Sequence, residues 1–175
     1  GNLGPGRMDF RFFAQGNLLM LATGMATPSQ SKALANLIEQ HWMELIGRMP
    51  MKLIYPAIEG DEWRLITGSD PKNIPWSYHN GGHWPVLIWP LAAAMLKVGR
   101  RDLAEKAWDI AEKRLMANQW PEYYDGRLGR LVGRRSNIRQ VWSAAGFLLA
   151  RHLLDDPELP LRFGIDEPCS NNKGE

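Results

Sequence analysis

Apolar and amphipathic helical segments alternate along this chain, and that alternation restricts the fold more than any other feature of the sequence. "FRFFAQGNLLMLATG", from Phe10 to about Thr23, is apolar nearly all round, with Asp9 placed to cap it and Gly24 to stop it. From about Ser29 to Ile46, the apolar positions Ala33, Leu34, Leu37, Ile38, Trp42, Leu45 and Ile46 recur at three and four, which predicts an amphipathic helix. A third segment begins between Gly82 and Val86, runs to Val98 and is again apolar. "RDLAEKAWDIAEKRLMA" keeps its charges on one face, and "IRQVWSAAGFLLARHLL", from Ile138 to Leu154, is mostly apolar. Connections inside each pair are short ("GMATPS", "GRR"), whereas 48–81 and 117–137 are long. Short connections make antiparallel neighbours. Buried inner helices wrapped by outer ones predict an all-α fold, a partial (α/α)6 toroid of two to three helical hairpins. A simple all-α bundle has the same periodicity and stays open as the alternative.

The alternation fixes where the loops go. Both long connections leave an outer helix and enter an inner one, so they share a face with "GPGRMDF" before the first helix. "MDFRFF", the 48–85 loop and "WPEYYDGRLGR" are therefore expected to converge over one mouth. Inside the long loop, "KLIYPAI" and "EWRLITG" read as a small β-hairpin around "EGDE". Asp70 and Pro71 mark a further turn, and Gly81 and Gly82 let backbone come close to a ligand or another chain.

Composition narrows the function classes. The formal charge is +2 and the basic residues are scattered, without the stripe a nucleic-acid binder needs. The longest apolar stretch, "WPVLIWPLAAAMLKVG", is interrupted by prolines and too short to span a bilayer. The single cysteine, Cys169, permits no internal disulfide and fits a reducing compartment. No secretory signal opens the chain, and the missing initiator Met suggests a fragment that has lost an N-terminal part. Eight Trp in 175 residues is the anomaly, with Trp63, Trp76, Trp84 and Trp120 in or beside expected loops. Flat rings at loop–helix junctions suit a sugar-binding pocket.

Glu122, among Trp120, Tyr123 and Tyr124, is the leading candidate for chemistry, because splitting a glycosidic bond takes two carboxyl groups. The plainer reading is a cap or a surface ion pair. Asp125 before Gly126 reads first as a turn former. Asp9 is either a helix cap or, with Arg11, a group that orients sugar hydroxyls. In "WSYHNGGHW", His79 and Asn80 supply hydrogen bonds while Trp76, Tyr78 and Trp84 supply faces. His79 and His83 are four apart, but the glycines between them argue against a regular helix, and no HExxH pattern or Cys partner supports a metal. Glu59, Asp61 and Glu62 read as a solvated turn. No nucleophile elbow, P-loop or dinucleotide fingerprint occurs.

"MDFRFFAQGNL", "EWRLITGSDPKNIPWSYHNGGHWP" and "WPEYYDGRLGRLVG" closely resemble the alkaline/neutral invertases, glycoside hydrolase family 100. The resemblance implies the last hairpins of an (α/α)6 barrel that hydrolyses sucrose to glucose and fructose. It implies a cytosolic or organellar enzyme without metal or organic cofactor, whose partner is a small sugar and neither nucleic acid nor membrane. Self-association of the whole protein stays open. Residues 1–155 would be the C-terminal part of the catalytic domain and 156–175 a polar, flexible tail. Glu122 matches one of the family's two catalytic carboxylates; the other, an Asp, has no match here, so the fragment is expected to be inactive alone. Asp9, Arg11, Trp76, Tyr78, His79, Asn80, Trp84, Trp120, Tyr123 and Tyr124 would line the sugar pocket. His83 departs from the family, where Ser is common. The competing readings are a toroid that binds carbohydrate without chemistry, and a different α-toroid hydrolase.

Overall fold

The computed structural model describes residues 2–4, 7–156 and 158–163. Short strands β1 (Asn2–Gly4), β2 (Arg7–Met8) and β3 (Phe12–Phe13) precede α1 (Ala14–Ala22). Next come α2 (Pro28–Gln40), α3 (Trp42–Leu45), β4 (Ile54–Tyr55) and α4 (Gly60–Thr67). After a 3-10 turn at Pro85–Leu87 follow α5 (Ile88–Lys97), α6 (Arg101–Leu115), β5 (Tyr124–Asp125), β6 (Leu131–Val132) and α7 (Val141–Asp155). The described residues are rich in helix, and their three sheets are two-stranded and antiparallel.

Each expected helix forms, with edges set by local chemistry. Thr27 caps α2 with Gln30 in a reciprocal capping box, and Pro28 opens the first turn. That helix breaks at His41, so the segment expected to be continuous to Ile46 is two helices. Gly24 (φ 75°) and Gly99 (φ 75°) take the left-handed conformation that ends α1 and α5. Arg100, just beyond, donates to both Glu39 carboxylate oxygens at 2.7–2.8 Å and ties α2 to the α5–α6 turn.

α5 is the hub. Ile88 and Pro90–Met95 are buried, and the helix packs against α1, α6 and α7. Trp108 stacks on Phe147 at 4.8 Å between α6 and α7. Burying such large apolar side chains contributes roughly 1.5–3 kcal/mol each before the entropy of ordering them. A further 3-10 stretch, Leu159–Phe163, turns back onto α5, so this part of the expected flexible tail is packed. Residues 164–175, including Cys169, lie outside the described residues.

The hairpin expected within the long loop does not form. "EWRLITG" lies in α4, with Asp61 and Glu62 in its first turn and Gly68 (φ 64°) as its left-handed stop. Acids near the N-terminus suit the helix dipole, and that preference wins over the strand propensity of Ile66 and Thr67. "KLIYPAI" pairs elsewhere: Phe12 and Phe13 meet Tyr55 and Ile54. Lys52 bridges His83, and His83 exchanges backbone hydrogen bonds with Tyr124 at 2.7 and 2.8 Å. The three loop regions expected to converge are thereby joined by backbone hydrogen bonds.

Candidate active site

The segment carrying Glu122 is held from both sides. Gln119 and Trp120 have φ near +60° and +55°, which places non-glycine residues in the left-handed region. Such strain persists only where surroundings enforce it. Here Arg139 N donates to Gln119 O at 2.7 Å, and Gln140 N to Trp120 O at 2.8 Å. Glu122 N donates to Asn137 O at 2.7 Å, and Gly133 N to Tyr123 O at 2.9 Å. The buried Ser143 hydroxyl, in the first turn of α7, donates to Pro121 O at 2.8 Å. The 119–123 and 133–140 segments are thus laced together in front of α7.

Glu122 is buried. Its Oε2 accepts from the Asn137 side-chain amide at 3.3 Å and lies 3.7 Å from Lys72 Nζ. Lys72 Nζ also sits 3.8 Å from the centre of the Tyr78 ring. From there the rings form one platform. Tyr78 stacks on His79 at 4.0 Å, His79 lies 4.9 Å from Trp84, and Trp84 stacks on Tyr123 at 5.8 Å. Trp142 meets Trp84 edge-on at 5.5 Å. Partial burial against these rings lowers the His79 imidazole, while the nearby Glu122 carboxylate opposes that shift. A cavity of about 280 Å³ opens on the platform between Gln15, Leu19, His79, Trp84, Trp89 and Trp142.

A larger cavity of about 590 Å³ lies at the short-turn end, among Leu21, Ala35, Lys97 and their neighbours. No aromatic ring lines it, so it lacks the flat faces on which a sugar stacks. No cluster of three or more His, Cys, Asp or Glu able to hold a metal occurs among the described residues. None of their helices is long and apolar enough to cross a membrane.

Of the residues singled out from sequence, Glu122, Tyr78, His79, Trp84 and Tyr123 come together. Asp9 is not a helix cap, since α1 starts at Ala14 with Phe13 before it. It accepts from Arg11 N at 3.0 Å and from the guanidinium at 2.9 Å, and Arg11 reaches on to Glu62. Burial works against the Asp9 carboxylate, but these Arg11 contacts outweigh it and hold the group below its usual range. Glu62, expected in a solvated turn, is a partner in this clamp. Trp76 lies over Lys52 and Arg127 and donates to Glu59 at 2.7 Å.

Three candidates are committed to the scaffold. The buried Asn80 side chain accepts from Ile58 N at 2.6 Å and donates to Ile58 O and Asn73 O at 2.9 and 3.1 Å. Trp120 packs edge-on against Phe147 at 5.4 Å. Tyr124 is fully buried, donates to Asn118 at 3.0 Å and is pushed up to about 12 by burial. Sequence reasoning missed Lys72, Asn137, Trp142 and Gln15. Asp70 was legible as a turn former and does accept from Lys72 N at 2.9 Å, but nothing in the string indicated that this turn aims Lys72 at Glu122.

The alkaline and neutral invertase family profile matches residues 1–157. Cytosolic invertase 1 of rice (Oryza sativa subsp. japonica) is 57% identical over 157 residues, covering 90% of this chain and 28% of the rice protein. The probable alkaline/neutral invertase A, chloroplastic, of Arabidopsis thaliana is 55% identical over 159 residues, 91% of this chain and 25% of that protein. The chain thus spans between a quarter and a third of the length of these relatives. In three dimensions it resembles the family 63 mannosylglycerate hydrolase of Thermus thermophilus, crystallised with Tris and D-glycerate. The TM-score is 0.53 at 21% identity, covering 76% of this chain and 28% of that one, a likeness of fold alone. The match across nearly all of the described residues, at more than half identity to several relatives, places this chain in the alkaline and neutral invertase family.

Proposed function

We propose that this chain is part of a glycoside hydrolase that splits sucrose into glucose and fructose, with Glu122 as one of the two carboxyl groups the reaction uses. The observation that carries the proposal is the setting of Glu122. One carboxylate oxygen is anchored by Asn137 and Lys72, while no hydrogen bond from a described residue reaches the other, beside a platform of four rings. A general acid, base or nucleophile needs that combination of fixed direction and an available oxygen. The rings offer flat apolar surface for the faces of a sugar, and His79 and Gln15 offer polar groups at the edge of the cavity. Two carboxyl groups suffice for this chemistry, so the proposal involves neither a metal nor an organic cofactor.

The alternation of helices around α5 and the fold likeness support placing the chain in an (α/α)6 toroid, with the second carboxyl group supplied from outside this chain. Asp9 is engaged with Arg11 and Glu62 and is assigned to pocket architecture. The relatives named cytosolic, chloroplastic and mitochondrial support a cytoplasmic or organellar site of action. The test is product analysis: the whole protein, supplied with sucrose, should release glucose and fructose in equal amounts. Turnover of another glycoside with sucrose untouched would point to a different hydrolase, and binding without turnover to a non-catalytic toroid.

A further inference from the structure

Lys72 enters the reading above only through its charge, 3.7 Å from Glu122 Oε2, and its own placement has a consequence for turnover. Its backbone is fixed by several contacts. Lys72 N donates to Asp70 Oδ1 at 2.9 Å, and the Asn73 amide donates to Asp70 Oδ2 at 2.6 Å. Asn73 O then accepts from Trp63 Nε1 at 2.5 Å and from Asn80 Nδ2 at 3.1 Å, while His79 N donates to Asn73 Oδ1 at 3.0 Å. The "DPKN" turn is therefore pinned to α4 on one side and to the "YHN" turn on the other.

The side chain leaving this turn is about one-third exposed, and its ammonium lies 3.8 Å from the Tyr78 face, 3.7 Å from Glu122 Oε2 and 6.0 Å from the Tyr123 ring. Partly exposed ion pairs of this kind contribute little to stability. A pinned turn that delivers one cation to one oxygen of a buried carboxylate serves direction better than strength. Asn137 holds the same Oε2. With both contacts on Oε2, rotation about the last side-chain torsion is restrained, and Oε1 is left without a hydrogen bond from a described residue.

We propose that Lys72 is a positioning residue: seated on Tyr78, it locks the Glu122 carboxylate so that Oε1 meets the sugar. The proposal rests on the invertase reading above. A residue that only fixes the direction of a catalytic group affects turnover and leaves ground-state binding alone.

The test is steady-state kinetics of sucrose hydrolysis in the whole protein. Lys72→Met keeps the length and the packing over Tyr78 while removing the charge. It should lower kcat about 100-fold with KM within about threefold. Lys72→Arg, which restores a cation, should recover at least a tenth of the wild-type kcat. If the Met variant turns over within threefold of wild type, or if KM rises as kcat falls and the Arg variant rescues neither, the positioning role is wrong. A purely structural role would instead lower the thermal midpoint of both variants and their kcat together, which also overturns the proposal. Should the wild-type protein itself leave sucrose intact, the invertase reading fails independently of Lys72.

Discussion

Asn80 shows how far a residue type is from a residue role. In sequence, an Asn beside a His, two aromatic rings and two glycines reads as a sugar-binding group. In the fold its amide is fully used, joining Ile58 to the Asn73 turn. Asn80→Ala would leave Ile58 N and Ile58 O without their partner, at a cost of about 3 kcal/mol. Thermal or urea denaturation should show that loss, with KM for sucrose unchanged in whatever fraction remains folded. Tyr123 was legible as an aromatic near the acid, whereas the space it needs was not. A methyl on Gly133 would come 2.3 Å from its ring, and one on Gly82 would come 2.4 Å from Tyr78 O. Gly133→Ala should therefore destabilise by about 1–3 kcal/mol through overpacking, read as a lower unfolding midpoint.

His83 offers a test through pH. Burial, reinforced by the Lys52 ammonium, pushes its imidazole down to about 3. Nδ1 meets Met49 O at 2.6 Å, and Gly129 leaves room for the ring. The unfolded chain takes up this proton near pH 6.5 and the folded chain only near 3, so folding stability falls as pH drops through that window. The slope from this one site is at most about 1.4 kcal/mol per pH unit. Measured unfolding free energies between pH 7 and 4 should show that slope, and His83→Ser should flatten it. An identical acid slope in the Ser variant would mean other groups carry it.

At the scale of elements, periodicity located every helix it was asked to locate, because helix faces are written in consecutive residues. Ends were legible where capping chemistry was strong. The Thr27–Gln30 box is exposed and local, and Thr27→Ala should cost about 1 kcal/mol in a denaturation experiment. The miss was α4. Its acids at Asp61 and Glu62 and its stop at Gly68 were present in the string, but Trp63, Ile66 and Thr67 suggested a strand. Pairing partners were not legible at all: Phe12–Phe13 finds Ile54–Tyr55 across the whole of α1, α2 and α3. Alternation of side chains says that a strand has a partner and does not say which.

For the whole molecule, the expected convergence of loops is realised as hydrogen-bonded backbone between β3, the 51–84 loop and the Tyr124 strand. It brings Glu122, Lys72 and the ring platform together without any helix contributing the acid. α7, read as an inner helix, exposes Val141 and Leu148 at 78% and 65%. One carboxylate on the platform is half of what glycoside hydrolysis requires. The isolated 175-residue chain should accordingly release no glucose from sucrose, even when folded.

The most direct measurement is turnover and sucrose binding by the Glu122→Gln variant of the whole protein. That change keeps the shape and the Asn137 contact while removing the charge and the proton chemistry. In this variant kcat should fall about 1,000-fold, with sucrose affinity by calorimetry within about threefold of wild type. A Gln variant that hydrolyses sucrose at the wild-type rate would contradict the role given to Glu122.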